Sequence, residues 1–223
     1  LTGSTLTSWA PTVDLPVQDI LVTEGVAYIA GAFQTVNGAA RSHFAAISTS
    51  TGDTLPLTCN ANDSVVALAL SGETLFLGGY FTQINSQGRR SLAAVDLVSN
   101  TLSSWQADCN APANALATYD TTLLAGGSFT SAGLLKRRNI AAIDCATGAA
   151  LPWNPDADDE VAALAASSTL VYAGGRFNTI GGQTRPHLAA LHPVTGNATA
   201  WNPSPNDDIT RLGGAAGRHV LSG

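Results

Sequence analysis

The sequence has 223 residues, 45% hydrophobic and 12% charged, with a formal net charge of -6. A chain of that length can bury a full core in one domain, and its scarcity of charge is unlike a disordered composition. The acidic balance excludes a general nucleic-acid footprint, no apolar run reaches the length of a membrane span, and Lys136-Arg137-Arg138 is too short to be a polybasic membrane-binding segment.

The chain opens on "LTGSTLTSW", Leu1 to Trp9, which reads as the last turn and strand of a repeating unit. After a linker, four short strands follow in each unit. The first is "SVVALAL" (Ser64 to Leu70), matched by "ANALATY", "EVAALAA" and "ITRLGGA"; the second is "TLFLGGYF" (Thr74 to Phe81); the third "SLAAVD" (Ser91 to Asp96); the fourth "TLSSW" (Thr101 to Trp105). Turn formers such as "DCATGA" and "HPVTGN" separate the third from the fourth, with Asp or Pro starting the turn and Gly accepting positive φ.

The units share one period. Phe33, Phe81, Phe129 and Phe177 are spaced by 48 residues, and Gly31, Gly79, Gly127, Gly175 and Gly223 keep the same step. So do the pairs Ala45-Ala46, Ala93-Ala94, Ala141-Ala142 and Ala189-Ala190, and Trp9, Trp105, Trp153 and Trp201, where Leu57 is the exception. Short strands with regular turn signals indicate an all-β fold, and four strands per repeat of this size indicate a propeller blade. The expected architecture is a β-propeller of four-stranded antiparallel blades with a 48-residue repeat, with four complete copies (17–63, 64–111, 112–159, 160–207) and a partial blade at each end (1–16 and 208–223). Small first-strand residues would let blades crowd at the axis, and Phe and Trp would wedge between them.

"VYAGGRFNTIGGQTRPHLAALHPVTGNATAWNP", Val171 to Pro203, resembles the delta-60 type propeller repeat of bacterial secreted and surface proteins, and is similar to repeats of fungal cell-surface polarity markers. The resemblance implies a propeller in an extracellular or surface protein, and the family carries no established catalytic motif to transfer. Departures from its pattern are Leu57 for Trp, His192 for Asp, and "NSQGRR" for the Gly-Gly turn.

The register leaves a gap. Five 48-residue copies would need 240 positions, and this chain leaves 17 of them empty, those equivalent to Ala32 through Ser48. No Met occurs and no leader opens the sequence, so the chain is expected to be processed or to be an internal piece of something longer, with a further segment or self-assembly completing the ring.

An Arg stands eight residues after each marker Phe: Arg41, Arg89, Arg137 and Arg185. A linker Asx stands at one phase in every copy: Asp14, Asn62, Asn110, Asp158 and Asn206. Each Arg fork is expected to tie its loop to a neighbouring linker; the alternative is an electropositive ring for an anionic glycan or carboxylate. The glycines before "LLKRRN" are no Walker loop, because the Lys-Ser/Thr pair is absent. Asp156, Asp158 and Asp159 are weak calcium candidates without the spacing of an EF-hand, against the reading of a solvated acidic rim; no other cofactor is expected. His43 and His187 share a phase with Ser91 and Asn139 and read as polar strand caps. Asn62 and Asn197 head glycosylation sequons. Cys59 and Cys109 lie in linkers on one face, where a disulfide needs closely spaced Cα atoms, and Cys145 is expected to be unpaired or buried.

Asp19 and Arg211, with Gln18 and Asn114 beside them, are the unrepeated polar residues near the strands that would line an axial channel, and Asp19 and Arg211 could form a funnel ion pair. No Ser-His-Asp arrangement, paired Glu or His-x-His occurs. The expected function is a non-catalytic extracellular or surface scaffold or binding module contacting protein or glycan through rim loops; the alternatives are an axial-funnel hydrolase or lyase, and a structural subunit of an extracellular filament.

Overall fold

A computed structural model describes residues 9–57, 59–215 and 218–222. The opening turn at 1–8 and the repeat glycine at 223 lie outside these residues. Among the described residues every element is a strand. The first sheet runs β1 (Val17–Thr23), β2 (Val26–Gly31) and β5 (Phe44–Ser48), with a two-residue ladder of β3 (Thr35–Val36) and β4 (Ala39–Ala40) in the loop between β2 and β5. The second holds β6 (Val65–Ser71), β7 (Thr74–Gly79), β10 (Leu92–Asp96) and β11 (Thr101–Leu102), with ladder strands β8 (Gln83–Ile84) and β9 (Gln87–Gly88). The third holds β12 (Ala113–Tyr119), β13 (Thr122–Gly127) and β16 (Ile140–Asp144), with β14 (Ser131–Ala132) and β15 (Leu135–Lys136). The fourth holds β17 (Val161–Ala166), β18 (Val171–Gly175) and β21 (Leu188–Leu191), with β19 (Thr179–Ile180) and β20 (Gln183–Thr184). A two-stranded sheet of β22 (Arg211–Ala215) and β23 (Arg218–Ser222) follows. All pairings are antiparallel.

The expected fourth strand is a ladder only in the second sheet, where Thr101 and Leu102 pair with β10. Elsewhere it shrinks to one bridge: Ile47 with Thr54, Ile143 with Ala150 and Leu191 with Ala198. The loop ladders were not foreseen; each is too short to show a period of two in sequence.

Packing follows the repeat. The four marker Phe side chains are fully buried, each worth roughly 1.5–3 kcal/mol relative to exposure. One core lies between the first and second sheets, with Tyr28, Phe44, Leu75, Leu77 and Phe81; a second between the second and third, around Phe76, Trp105 and Phe129; a third between the third and fourth, around Leu124, Trp153 and Phe177. Trp105 and Trp153 are buried wedges, as expected, but Trp9 and Trp201 at the two ends of the repeat series are 37% and 43% exposed.

The Gly-Gly pair lies inside the second strand. A Cβ at Gly127 would overlap the carbonyl oxygen of Pro112, and one at Gly126 would stand 2.7 Å from Val161 Cγ1 of the next sheet. The second glycine admits the start of its own first strand, and the first admits the next sheet. That is why the stretch that looks like a phosphate loop is a buried strand.

Cys59 and Cys109 are free and buried in different inter-sheet cores, and Cys145 is a free, half-buried thiol. Burial pushes the Cys59 thiol up to about 11. Cys59 fills the first of these cores, and Cys109 and Cys145 pack in the second.

Candidate functional site: the axial funnel

A β-bulge opens each first strand, between Val17 and Asp19, Val65 and Ala67, Ala113 and Ala115, and Val161 and Ala163. The skipped residues Gln18, Val66, Asn114 and Ala162 all line one funnel of ≈ 920 Å³, to which β1, β6, β12, β17 and β22 each contribute. Bulges re-aim side chains in this way. Arg211 at the head of β22 donates from both terminal nitrogens to the Gln18 carbonyl at 3.2 Å, linking the last sheet to the first.

Asp19 and Arg211 share the funnel but do not form the expected ion pair. Asp19 Oδ2 accepts the Leu68 N–H at 2.7 Å and Oδ1 accepts the Ile20 N–H at 2.9 Å, so the carboxylate stitches β1 to β6. Burial raises its pKa above the ordinary carboxylate value, against those two N–H groups and the charge of Arg211.

The more elaborate polar group lies at the mouth. Asn114 Nδ2 donates to Glu160 Oε1 at 2.6 Å, and Glu160 Oε2 is 3.7 Å from Arg176 Nε. Arg176 Nε is 3.3 Å from Asp208 Oδ2, and Asp208 Oδ1 is 3.2 Å from His187 Nδ1. The Asn114 Oδ1 is buried without a protein donor among the described residues. Tyr80, 49% exposed, joins this rim. Only Asn114 and His187 of this set were singled out by sequence, and His187 as a mere cap. The available signal was phase: Glu160 stands where other copies have Pro16, Ser64 and Pro112, while Arg176 and Tyr80 stand where they have Ala32 and Ser128.

The repeated arginines contact carbonyls of their own sheet and not the neighbouring linkers. Arg41, Arg89, Arg137 and Arg185 each donate to the carbonyl of the preceding residue, and the last three also to Ser103, Leu151 and Thr199, on the fourth-strand segment of the same sheet. The Nε of all four is buried without a protein acceptor among the described residues. The tie to the linker comes from the Asx residues instead. Asp14 Oδ1 accepts Gln34 and Thr35 N–H, Asn62 Oδ1 accepts Thr82 and Gln83, Asn110 Oδ1 accepts Thr130 and Ser131, and Asp158 Oδ1 accepts Asn178 and Thr179. A short acceptor reaches two adjacent N–H groups of the loop, whereas the long guanidinium is held inward by carbonyls of its own sheet. Asn206 keeps the same phase and is exposed.

The three calcium candidates have separate partners: Asp156 pairs with Arg138 at 2.8 Å, Asp158 caps its loop, and Asp159 accepts the Glu160 N–H. Among the described residues no three His, Cys, Asp or Glu side chains gather as a metal site. Asn62 also donates from Nδ2 to Thr82, and Asn197 is exposed. His43, Ser91, Asn139 and His187 all have positive φ, between 61° and 68°, a conformation Asn and His tolerate better than most residues.

No family model matches the chain, and no curated protein matches it. Among solved structures it is similar to the computationally designed Ika4 protein, with TM-score 0.58 and 15% identity over 86% of this chain and 99% of that one. It is also similar to the WD40 repeats of RRP9 (TM-score 0.55, 17% identity, 83% of this chain) and to the extracellular domain of BT4673 from B. thetaiotaomicron (TM-score 0.59, 15% identity, 92% of this chain). The chain spans 55% of the former and 24% of the latter. It is an all-β repeat protein of the propeller type. Among the described residues, no helix is long and apolar enough to cross a membrane.

Proposed function

We propose that the chain is a non-catalytic binding module of an extracellular or cell-surface protein, built from delta-60 type, 48-residue blades, and that it takes a glycan at the funnel mouth. One observation carries this reading: polar residues converge on the funnel and its rim, where Tyr80, Asn114 and Arg176 stand at phases that other copies fill differently, and Glu160 and Asp208 share a phase that is Pro or Ser in the earlier copies. An exposed aromatic face beside an amide, two carboxylates and a guanidinium offers an apolar platform flanked by planar groups suited to hydroxyls. Catalysis is disfavoured by the use of Asp19, since both oxygens of this carboxyl, whose pKa burial raises, hold backbone N–H groups. Screening the protein against immobilised neutral and acidic oligosaccharides should return a binder whose affinity falls by about tenfold or more in Tyr80→Ala, the loss expected of a stacking contact with its hydrogen-bonded neighbours. Retention of that binder by a Tyr80→Ala/Glu160→Gln double variant would remove the mouth as the site.

A further inference from the structure

The charged groups at the funnel mouth are held from behind and left open in front. Arg176 follows β18, and its backbone N–H donates to the Glu160 carbonyl at 2.9 Å, which sets the two residues side by side. Glu160 is fixed through Oε1, which accepts Asn114 Nδ2 at 2.6 Å, and Asp208 Oδ1 is faced by His187 Nδ1 at 3.2 Å. The second oxygen of each carboxylate turns to Arg176 Nε, at 3.7 Å for Glu160 and 3.3 Å for Asp208.

This is an open arrangement. Arg138 and Asp156 show the closed alternative, a fork on a carboxylate with bonds of 2.8 and 2.9 Å. Among the described residues the Arg176 guanidinium makes no such bond, and its side chain is 64% exposed against 21% for Glu160 and 36% for Asp208. A fork with both terminal nitrogens unengaged therefore stands out from two recessed carboxylates.

Charge and hydrogen-bonding capacity decide what such a group accepts. The guanidinium only donates and the carboxylates only accept. A ligand carboxylate can accept from the fork, but it has nothing to give the oxygens and meets two like charges for one opposite charge. An ammonium can serve the oxygens, but it meets the outermost group, the guanidinium, first. A hydroxyl both donates and accepts, and two hydroxyls on neighbouring carbons serve both kinds of group together.

We infer that the mouth takes a neutral sugar through a vicinal diol, one hydroxyl accepting from a terminal nitrogen of Arg176 and its neighbour donating to Asp208 Oδ2. This rests on the reading of the mouth as a glycan site and names the class of glycan. Asp208 is the acceptor because its oxygen is nearer to Arg176 and more exposed than that of Glu160.

Calorimetric titration with maltohexaose, cellohexaose and mannohexaose tests the assignment. Each is used as the neutral sugar and with its primary hydroxyls oxidised to carboxylates, which leaves the ring diols in place. The buffer holds about 0.15 M salt, which screens charges more than about 8 Å away. A neutral hexaose should bind, and its oxidised form at least about tenfold more weakly. Arg176→Met should weaken the neutral form about tenfold or more, the loss of a hydrogen bond to a charged group. Asp208→Asn leaves one charge of each sign between Arg176 and Glu160, so the gap between neutral and oxidised forms should narrow to about threefold or less, whereas a merely structural role would weaken both forms alike. An oxidised form that binds as tightly as the neutral one, an Arg176→Met variant that binds the neutral form like the parent, or an Asp208→Asn variant that keeps the full gap would each overturn the diol and leave the glycan reading standing. If no hexaose binds in either form, the glycan reading fails and the diol falls with it.

Discussion

Arg137→Lys separates the two roles that the repeated arginines could have. The Arg137 fork holds two carbonyls at once, Lys136 O at 2.8 Å and Leu151 O at 2.6 Å, so it ties the loop ladder to the outer segment of its own sheet. A lysine ammonium is a point donor on a flexible stem and can keep one of those carbonyls at most. A hydrogen bond to a charged group is worth about 1.5–3 kcal/mol, so Arg137→Lys should cost about that much and Arg137→Ala about twice it. For a chain of this length one kcal/mol moves Tm by about 2–4 °C, which puts the lysine variant roughly 3–12 °C below the parent. Urea unfolding followed by tryptophan fluorescence gives the same quantity as a shift of midpoint. Arg138→Lys is the internal control: its partner is the exposed Asp156, and exposed pairs contribute little, so its midpoint should match the parent. If the arginines instead formed an anion-binding ring, sulfate or citrate would stabilise the parent by mass action and Arg137→Lys would mainly lose that increment. An Arg137→Lys midpoint equal to that of Arg138→Lys in salt-free buffer would refute the clamp.

Gly127→Ala drives a Cβ into the Pro112 carbonyl, backbone against backbone, and should cost about 1–3 kcal/mol or more as overpacking, whereas Gly88→Ala, with open space around it, should melt within a degree or two of the parent; equal melting temperatures would contradict the close approach. Asp158→Asn should leave stability at neutral pH nearly unchanged, because Asn62 and Asn110 do the same work with an amide oxygen. Burial pushes the Asp158 carboxyl up, but the N–H groups of Thr179 and Asn178 outweigh it and hold the pKa below the ordinary 3.8. A depressed folded pKa gives stability that is complete above 3.8 and is lost as pH falls through the folded value, so urea midpoints of parent and variant should diverge only in acid, with the variant losing less.

The repeat was legible because its markers do the packing. Phe33, Phe81, Phe129 and Phe177 are fully buried, the Ala pairs are buried with them, and the Gly pairs sit where strands and sheets come close. The partners of the arginines were not legible. Each donates to backbone carbonyls, and a carbonyl at Ser103, Leu151 or Thr199 leaves no trace in residue identity. The Asx phase was visible, but its work, two N–H groups held 20 and 21 residues on, is a matter of loop geometry. The funnel rim was missed for another reason. Glu160, Arg176, His187 and Asp208 come from one sheet and the start of the next, spread over the chain, and only the packing of neighbouring sheets and the bulges bring them together near Asn114 and Tyr80.

In a repeat whose shared positions are fixed by packing, a departure has to be absorbed by its neighbours, and this limits where departures can gather. Leu for Trp at position 57 removes an indole N–H donor, and there Leu57 is buried in a core completed by Leu55, Leu97 and Leu102. In the same wedge the glycine phase holds Asn100, whose φ of 55° is in the left-handed region that Gly52, Gly148 and Gly196 occupy in the other copies. At the funnel mouth Asn114, Glu160, Arg176 and Asp208 are linked in series, and Asp208 reaches the repeat-phase His187. A random loss of repeat identity would leave such groups unpaired or scattered over the rim. Departures that answer each other in space, in a fold whose remaining positions keep their phase, mark the places where something other than packing sets the residue.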